Sequence, residues 1–271
     1  MSFMIARLTL AVLLVGLAAP AAWGQGNAAA GATDAKAAEV LLSGARYDVA
    51  TIKPFTPGTE SSFFEPLPNG GFMSKGMTLK SLVCEAYDKF DFQCLGGPSW
   101  LDSDRYDVEA KPDSALADQM LKLNWKERTK VRKRMQQALL EDRIKLKVHQ
   151  ETREMPIFAL VVAKGGSKMT EAKTEGSYMV DHGKMQAWGT SMDSLAQQLS
   201  QETGHIVQDR TGLKGVYEFT LKYSDEVAAG ADPSAPSLYS ALQEQLGLKL
   251  EPSKGAVEVL VIDHVERPSE N

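Results

Sequence analysis

Four histidines are the residues best suited to metal binding or proton transfer: His149, His182, His205 and His264. Carboxylates stand near three of them, in the pairs Asp181-His182 and Asp263-His264 and in the spacing Glu202-x-x-His205. A catalytic zinc site needs three protein ligands that converge on one point. No spacing in this sequence forces such convergence. We therefore predict solvated histidines at strand ends, no metal site and no cofactor.

The short signatures of hydrolases and nucleotide-binding enzymes are missing. The sequence contains no His-Glu-x-x-His, Gly-x-Ser-x-Gly, Ser-x-x-Lys or Gly-x-x-x-x-Gly-Lys. Cys84 and Cys94 could serve as nucleophiles only with a histidine partner. In an oxidising compartment we expect them to form a disulfide between a helix and the next strand. The alternative is two buried free thiols. The sequence thus predicts no catalytic residue.

Two pairs of residues are candidates for ligand binding: Trp100 with Arg105, and Asp209 with Arg210. An exposed tryptophan near an arginine can anchor a ligand, and an arginine fork can hold a carboxylate or a peptide end. Each pair also has a structural interpretation. Trp100 can be a core residue before a strand, and Asp209 can bond its own turn before a glycine. The basic run at residues 126–134 is expected to be a solvated helix face, with an acidic partner as the alternative.

The elements that must position these residues follow from hydrophobic periodicity. Residues 47–53, 105–111 and 216–222 alternate as strands, whereas residues 78–87, 124–142 and 191–204 have apolar residues at helical spacing. Each half of the chain is predicted to end in two separate strands, at 145–151 and 157–163 and again at 248–251 and 257–263. The strand at 257–263 is expected at a sheet edge, where a partner strand could be added.

The same order of elements occurs twice, in residues 46–166 and in residues 177–268. The order is strand, strand, helix, strand, strand, helix, strand, strand. An internal duplication accounts for this order, with a chance match between α+β segments as the alternative. We therefore predict the α+β class, with two related units whose antiparallel sheets carry helices on one face.

The first 24 residues have the order of a secretory signal peptide. Arg7 precedes an apolar run of about 12 residues, which Pro20 ends before small residues suited to cleavage after Gly24. A retained membrane anchor is the alternative, but a membrane span needs roughly 20 residues. Residues 25–45 are rich in alanine and glycine and are predicted to form a flexible lead-in. The protein is thus expected to be exported, to the periplasm or outside the cell.

The charge balance bears on the class of partner. The chain has 30 basic and 35 acidic residues, and cleavage after Gly24 removes Arg7 and changes the net charge from −5 to −6. Nucleic acids and anionic membranes favour basic surfaces. We therefore expect no nucleic-acid partner, no membrane span after signal cleavage, and an envelope protein or peptide as the partner.

Five strings together resemble one known family: YDVATIKP at 47–54, GGPSWLDSDRYD at 96–107, FALVVAKGG at 158–166, DRTGL at 209–213 and LQEQLGLKL at 242–250. This is the soil-associated family of uncharacterised exported proteins, which occurs in many copies in some soil bacteria. The resemblance covers residues 47–268 and implies export without an established activity. In some relatives a similar region follows a membrane metallopeptidase of the antibiotic-sensor type, which implies sensing or docking.

A second resemblance is one of pattern. Residues 191–221 followed by 237–262 are similar to the short N-terminal domain of secretins and TonB-dependent receptors, a small protein-docking module. We therefore expect a non-enzymatic binding or docking module of the cell envelope. The alternative is a hydrolase acting on an envelope polymer or peptide, which would bring scattered acidic and histidine residues together.

Overall fold

The computed structural model describes residues 25–56, 62–181, 183–224 and 235–269. Within these ranges the chain forms seven α-helices and twelve strands in mainly antiparallel sheets, which confirms the predicted α+β class. The predicted signal peptide at 1–24 and His182 lie outside the described residues. None of the helices in the described ranges is both long and apolar enough to cross a membrane.

The strands are numbered in chain order: β1 (Val49–Pro54), β2 (Phe63–Pro66), β3 (Phe72–Thr78), β4 (Cys94–Gly96), β5 (Arg105–Lys111), β6 (Lys147–Val162), β7 (Thr170–Ala172), β8 (Ser177–Asp181), β9 (Lys184–Ser191), β10 (Val207–Asp209), β11 (Val216–Lys222) and β12 (Leu248–His264). The helices are α1 (Gln25–Leu42), α2 (Leu79–Ala86), α3 (Trp100–Ser103), α4 (Ser114–Lys122), α5 (Trp125–Arg143), α6 (Met192–Thr203) and α7 (Leu238–Ala241). A π-helical turn, Leu242–Leu246, continues α7.

The strands form three sheets of four strands each. Sheet A has the order β1-β5-β3-β2, sheet B the order β10-β6-β12-β4, and sheet C the order β7-β11-β9-β8. Adding six to each strand number of sheet A gives the order of sheet C. In sheet B, exchanging each strand with the one six numbers away (β4 with β10, and β6 with β12) gives the same order read from the other end. Strands from both halves of the chain therefore meet in sheet B.

Sheet B is built on a long antiparallel ribbon of β6 and β12, paired from Leu248↔Val162 to His264↔Lys147. The prediction of two separate closing strands in each half is wrong, because β6 and β12 each run without a break. The prediction of a free edge at residues 257–263 is also wrong. β12 lies between β6 and β4, and β4 pairs with Leu260–Ile262.

The ribbon bends at its middle. In the register of sheet B, Gln208 of β10 pairs with Ala159 of β6, and Ala159 pairs with Glu251 of β12. The Gln208 side-chain amide nevertheless donates to the carbonyl of Ala256, five residues after Glu251, at 2.8 Å. A side chain of this length can reach that carbonyl only if the strands curl towards β10. A Cβ on Gly255 would lie 2.5 Å from the Gln208 side-chain oxygen, so glycine leaves room for the bend.

The segment predicted as a flexible lead-in forms helix α1, which corrects that prediction. Its alanine content favours helix, and tertiary contacts hold its second half. Ala38 is fully buried against a cluster that includes Met120 and Met135. The Asp34 carboxylate accepts a hydrogen bond from the Asn124 amide at 3.0 Å.

The link between the central helix and the next strand differs between the two halves. In the first half the predicted disulfide is confirmed, and it joins Cys84 of α2 to Cys94 at the start of β4, with 6.1 Å between the Cα atoms. In the second half Ser200 of α6 takes this role. Its hydroxyl accepts a hydrogen bond from the buried backbone N–H of Val207, the first residue of β10, at 2.8 Å.

Candidate binding site

Sheets A and C each contain a glycine bulge two residues before a helix cap. In β3 the register shifts between Ser74 and Met77, and Gly76 has a φ of +59°. In β9 the bulge residue is Gly189, with a φ of +83°. A bulge with glycine in the left-handed region bends the strand and re-aims its neighbours. The residues two positions later, Thr78 and Ser191, cap α2 and α6.

In sheet A the chain itself fills the space beside the bulge. The guanidinium of Arg105 donates to the Gly76 carbonyl at 2.6 Å, and the Ser62 hydroxyl donates to the same oxygen at 2.9 Å. The Gly76 N–H donates to the Asp107 carboxylate at 2.9 Å. Charge-assisted hydrogen bonds of this kind are among the stronger ones in proteins. Arg105, a predicted binding residue, is thus committed to its own sheet.

In sheet C a short apolar residue stands at the position of that arginine. Arg105 pairs with the cap residue Thr78, and Val216 pairs with the cap residue Ser191 in the same way. The Gly189 carbonyl accepts one bond, from the Gly176 N–H at 3.0 Å. Because Val216 cannot reach across the bulge as an arginine does, a cleft of about 430 Å³ remains there.

This binding cleft combines two aromatic side chains with small and polar residues. Its lining is Trp125, Glu175, Gly176, Ser177, Tyr178, Gly189, Thr190, Ser191, Ser194 and Val216. Trp125 is 76% exposed and Tyr178 is 38% exposed. Trp125 is the first residue of α5, and its cap Asn124 accepts the Glu127 N–H at 3.0 Å. A tryptophan left in water on a rigid helix start forgoes its burial energy and is available to a ligand.

Three polar groups of the cleft remain available for bonding. Within the described ranges, the Glu175 carboxylate has no ion-pair partner, and the Tyr178 hydroxyl and the Trp125 indole N–H have no hydrogen-bond partner. In contrast, the hydroxyls of Ser191 and Ser194 lie 3.0 Å apart and bond each other, and the Thr190 hydroxyl donates to the Ser177 carbonyl. The cleft therefore offers one carboxylate and two aromatic groups to an incoming group.

The cleft lies beside β8, which ends sheet C. Asp181 pairs with Lys184 to close the β8–β9 hairpin. Hydrogen-bonded and non-hydrogen-bonded pairs alternate from such a closing pair. The backbone N–H and C=O groups of Tyr178 and Val180 then point away from β9. No described strand pairs with them on that side, so β8 presents two donors and two acceptors to an added strand.

The other outer strands of the described sheets are shorter or are protected. β1 ends in Lys53-Pro54 and β2 ends in Glu65-Pro66, while β4, β7 and β10 have three residues each. Charges, prolines and short length are common ways to prevent unwanted strand addition. β8 has the sequence SYMVD, with a charge only at its last residue, and Met179 is 53% exposed.

The four predicted binding residues lie apart from the cleft. Trp100 begins α3 and packs in part against the core of the first half, under the guanidinium of Arg267 at 4.9 Å from the ring centre. Arg267 also pairs with Asp104. Arg105 contacts Ser62 and Gly76 rather than the Trp100 ring.

Asp209 and Arg210 are adjacent but face different partners. The Asp209 carboxylate accepts the Thr211 N–H at 2.8 Å, as in a turn that bonds its own backbone. The Arg210 guanidinium donates to the Ser253 hydroxyl and to the Lys254 carbonyl, both at 2.9 Å. These bonds hold β10 to the bend of the ribbon.

His149 has a shifted pKa and lies at one end of the ribbon. Its hydrogen bond to Asp263, 2.9 Å from Nδ1, raises the pKa of the imidazole, and the nearby carboxylates add to the effect. In the described part of the chain, no three or more His, Cys, Asp or Glu residues are placed to hold a metal ion. Burial raises the pKa values of Tyr47, Tyr87 and Tyr106, which lie outside the cleft.

A second groove, of about 540 Å³, lies between α2, α5 and α6. Its charged groups are already paired within the protein: Glu85 with Arg132 at 3.1 Å, Asp88 with Lys133, and Lys89 with Glu258. The Asp91 carboxylate accepts the Ser81 hydroxyl at 2.6 Å. The unpaired carboxylate and the free edge therefore favour the cleft as the candidate site.

Sequence reasoning did not find Trp125, Glu175 or Tyr178. One signal was present, because Asn124 is a good helix cap and Trp125 follows it on an otherwise polar helix. The placement of Glu175 beside them depends on the bulge at Gly189, for which the local pattern has no signature.

The fold and the cleft define an α+β protein with a candidate binding site beside a free sheet edge. The chain belongs to the family described as protein of unknown function (DUF3738), whose model matches residues 80–265. The match runs from α2 to the end of β12 and includes the cleft and β8. The match confirms the prediction that the chain belongs to an uncharacterised family. Comparison with curated proteins and with solved structures found no match.

Proposed function

We propose that this protein is an exported, non-enzymatic binding module of the cell envelope, which docks an extended peptide segment on β8. One observation carries the proposal: β8 is an unprotected outer strand whose free backbone groups lie beside an open aromatic cleft. In strand addition the backbone bonds give affinity, and pockets for alternate side chains give specificity. β8 supplies the backbone hydrogen-bonding groups, and the binding cleft supplies a pocket for a side chain.

Export is part of the same proposal. The signal-like order of residues 1–24 supports it, and a disulfide between Cys84 and Cys94 is compatible with an oxidising compartment. Amino-terminal sequencing of the protein recovered from cells should begin at Gln25. Recovery of a chain that retains Met1 to Gly24 would contradict cleavage and favour an anchor.

We also propose that the two halves arose by duplication and that the family is the soil-associated one. The relation between the strand orders of sheets A and C supports duplication. The likeness to the docking domain of secretins and TonB-dependent receptors remains an analogy of pattern, and it agrees with a docking role.

The test of docking is a selection of displayed random peptides on the protein from Gln25 onward. Affinities of the selected peptides are then measured for the wild type, Val180→Pro and Val180→Ala. The Val180 N–H points to the free edge, so a proline there removes a docking donor without breaking the β8–β9 ladder. Val180→Ala is the matched control for the lost side chain.

We expect Val180→Pro to abolish peptide binding and Val180→Ala to stay within about threefold of the wild type. Circular dichroism and thermal melting establish that both variants fold. Failure to select any peptide, or equal binding by the folded proline variant, would contradict docking on β8. In that case assays on cell-wall polymers and peptides would test the hydrolase alternative.

A further inference from the structure

We infer that the binding cleft recognises a lysine or arginine side chain of the docked segment. This inference rests on the docking function proposed above and specifies the chemistry of its partner. It is argued from the other half of the molecule, from the groups in the cleft, and from the position of the cleft relative to β8.

Sheet A shows what fits beside this kind of bulge. There a guanidinium, that of Arg105, donates to the bulge carbonyl of Gly76 at 2.6 Å. Val216 has the equivalent register in sheet C, and none of the described residues that line the cleft is a lysine or arginine. A cationic side chain from a partner would enter the space that the protein's own arginine fills in sheet A.

The cleft has the groups that bind cations. Trp125 and Tyr178 are exposed aromatic residues that line it together with the Glu175 carboxylate. Aromatic faces attract ammonium and guanidinium groups, and enclosure by more than one ring is a common way to bind such cations. An unpaired carboxylate adds a charge-assisted hydrogen bond.

The chemistry also argues against an anion. Helix α6 begins at the cleft, and a helix start carries partial positive charge. However, Ser191 already accepts the Ser194 N–H at 3.2 Å, and the two hydroxyls bond each other. The Glu175 carboxylate would repel an anion in the same cleft.

Position links the cleft to strand addition. Tyr178 lies on β8 with its backbone groups at the free edge, and its side chain lines the cleft. A residue of an added strand beside Tyr178 can therefore direct its side chain into the cleft. The negative net charge, −5 for the whole chain and −6 after cleavage at Gly24, also favours the approach of a basic segment.

The test uses synthetic peptides with the repeat Thr-Val and one variable residue, which is lysine, arginine, glutamine or glutamate. Binding is measured by fluorescence anisotropy at low and moderate salt. We expect the lysine and arginine peptides to bind about tenfold more tightly than the glutamine peptide, and the glutamate peptide to bind most weakly.

Glu175→Gln should reduce the preference for the cationic peptides to about threefold or less. Glu218→Gln, on β11 outside the cleft, is the matched control and should leave the preference unchanged.

A second variant fills the cleft from within. Val216→Arg should reproduce the arrangement of Arg105 and remove the preference for cationic peptides, whereas Val216→Met should keep it. If Val216→Arg does not fold, the cation preference is tested by comparing the Glu175→Gln variant with its control, Glu218→Gln. Peptides that bind equally well whatever their variable residue, yet fail to bind Val180→Pro, would overturn the cation preference and leave docking intact. Absence of binding by every peptide, selected ones included, would overturn both.

Discussion

Sheets A and C have the same strand order and the same glycine bulge, but they treat the space around it in opposite ways. In sheet A, Arg105 fills the bulge, and the outer strand β2 ends in Pro66. Phe64 of that strand turns inward and stacks on Phe72 with 5.4 Å between ring centres. In sheet C the corresponding space is an open cleft and the outer strand β8 is unprotected.

The comparison of sheets A and C distinguishes the features that the fold shares from those that belong only to the candidate binding site. The same bulge occurs with an arginine on its carbonyl in sheet A and with only backbone contacts in sheet C, so the fold does not require the arginine. In the first half the chain itself bonds both the carbonyl and the N–H of the bulge residue Gly76. Beside sheet C, the Glu175 carboxylate, the aromatic side chains of Tyr178 and of Trp125 from the first half, and the edge of β8 remain available to a partner.

The largest expected effect comes from breaking the two bulges. Both glycines have positive φ, so alanine is strained at each. A Cβ on Gly189 would also collide with the backbone carbonyl of Thr174, whereas a Cβ on Gly76 would meet the Ser62 hydroxyl at 3.0 Å and the edge of Phe55 at 3.3 Å, both of which can move. We expect Gly189→Ala to cost about 4 kcal/mol of unfolding free energy. Gly76→Ala should cost about 1–2 kcal/mol. Urea denaturation measures the unfolding free energy of both variants. An equal loss for the two would contradict the tighter packing around Gly189.

The next effect concerns the covalent link that only the first half has. Replacing both Cys84 and Cys94 with alanine should lower the unfolding free energy by about 3 kcal/mol, because the disulfide restricts the unfolded chain. The comparison is made between the oxidised wild type and the double variant by urea denaturation. Adding reductant to the wild type should give a similar loss. A double variant as stable as the oxidised wild type would contradict a stabilising role for this link.

The hydrogen-bonded counterpart in the second half should matter less. Ser200→Ala leaves the buried N–H of Val207 without its acceptor, which should cost about 2 kcal/mol. Thr203→Ala is a control on the same helix, because the Thr203 hydroxyl only donates to carbonyls. A cost for Ser200→Ala that exceeds the cost of removing the disulfide would reverse the expected order of the two links.

The smallest effect concerns the two ends of the ribbon. One end has the His149–Asp263 pair, and the other has the Lys249–Glu251 ion pair. The raised pKa of His149 means that its stabilising contribution is fully present below its unfolded pKa of about 6.5. That contribution is lost as the pH rises through the folded pKa. NMR titration should show a lower pKa for His149 in Asp263→Asn. An unchanged pKa would exclude Asp263 as the cause.

Much of the secondary structure could be predicted because its signals are local. The alternation in residues 216–222 matches β11, and the caps Thr78, Asn124 and Ser191 begin helices as expected. The disulfide was also predictable, since a short spacing joins a helix to the next strand. Local periodicity and capping therefore account for the correct part.

The long ribbon could not be predicted, because its prolines resemble strand ends. Pro156 pairs with Lys254 and Pro252 pairs with Phe158 inside continuous strands. Both lie where the ribbon has no third strand, since β10 reaches only residues 158–160 and β4 only residues 260–262. A missing N–H on a free edge costs no ladder bond there. The cleft could not be predicted because Trp125 and Tyr178, which are far apart in the sequence, come to line one cleft only through tertiary packing.

The pairing of β4 with β12 has a consequence for the making of the protein. The Gln93 side chain donates to the carbonyl of Glu258, which lies 165 residues later in the chain. A growing chain that ends before residue 258 therefore has no partner for β4, and its first half exposes apolar surface that β12 would cover. Contacts over such distances form slowly. The protein should become resistant to proteases only after its last residues have been synthesised. A carboxy-terminal truncation that removes β12 would therefore destabilise the first half as well as the second.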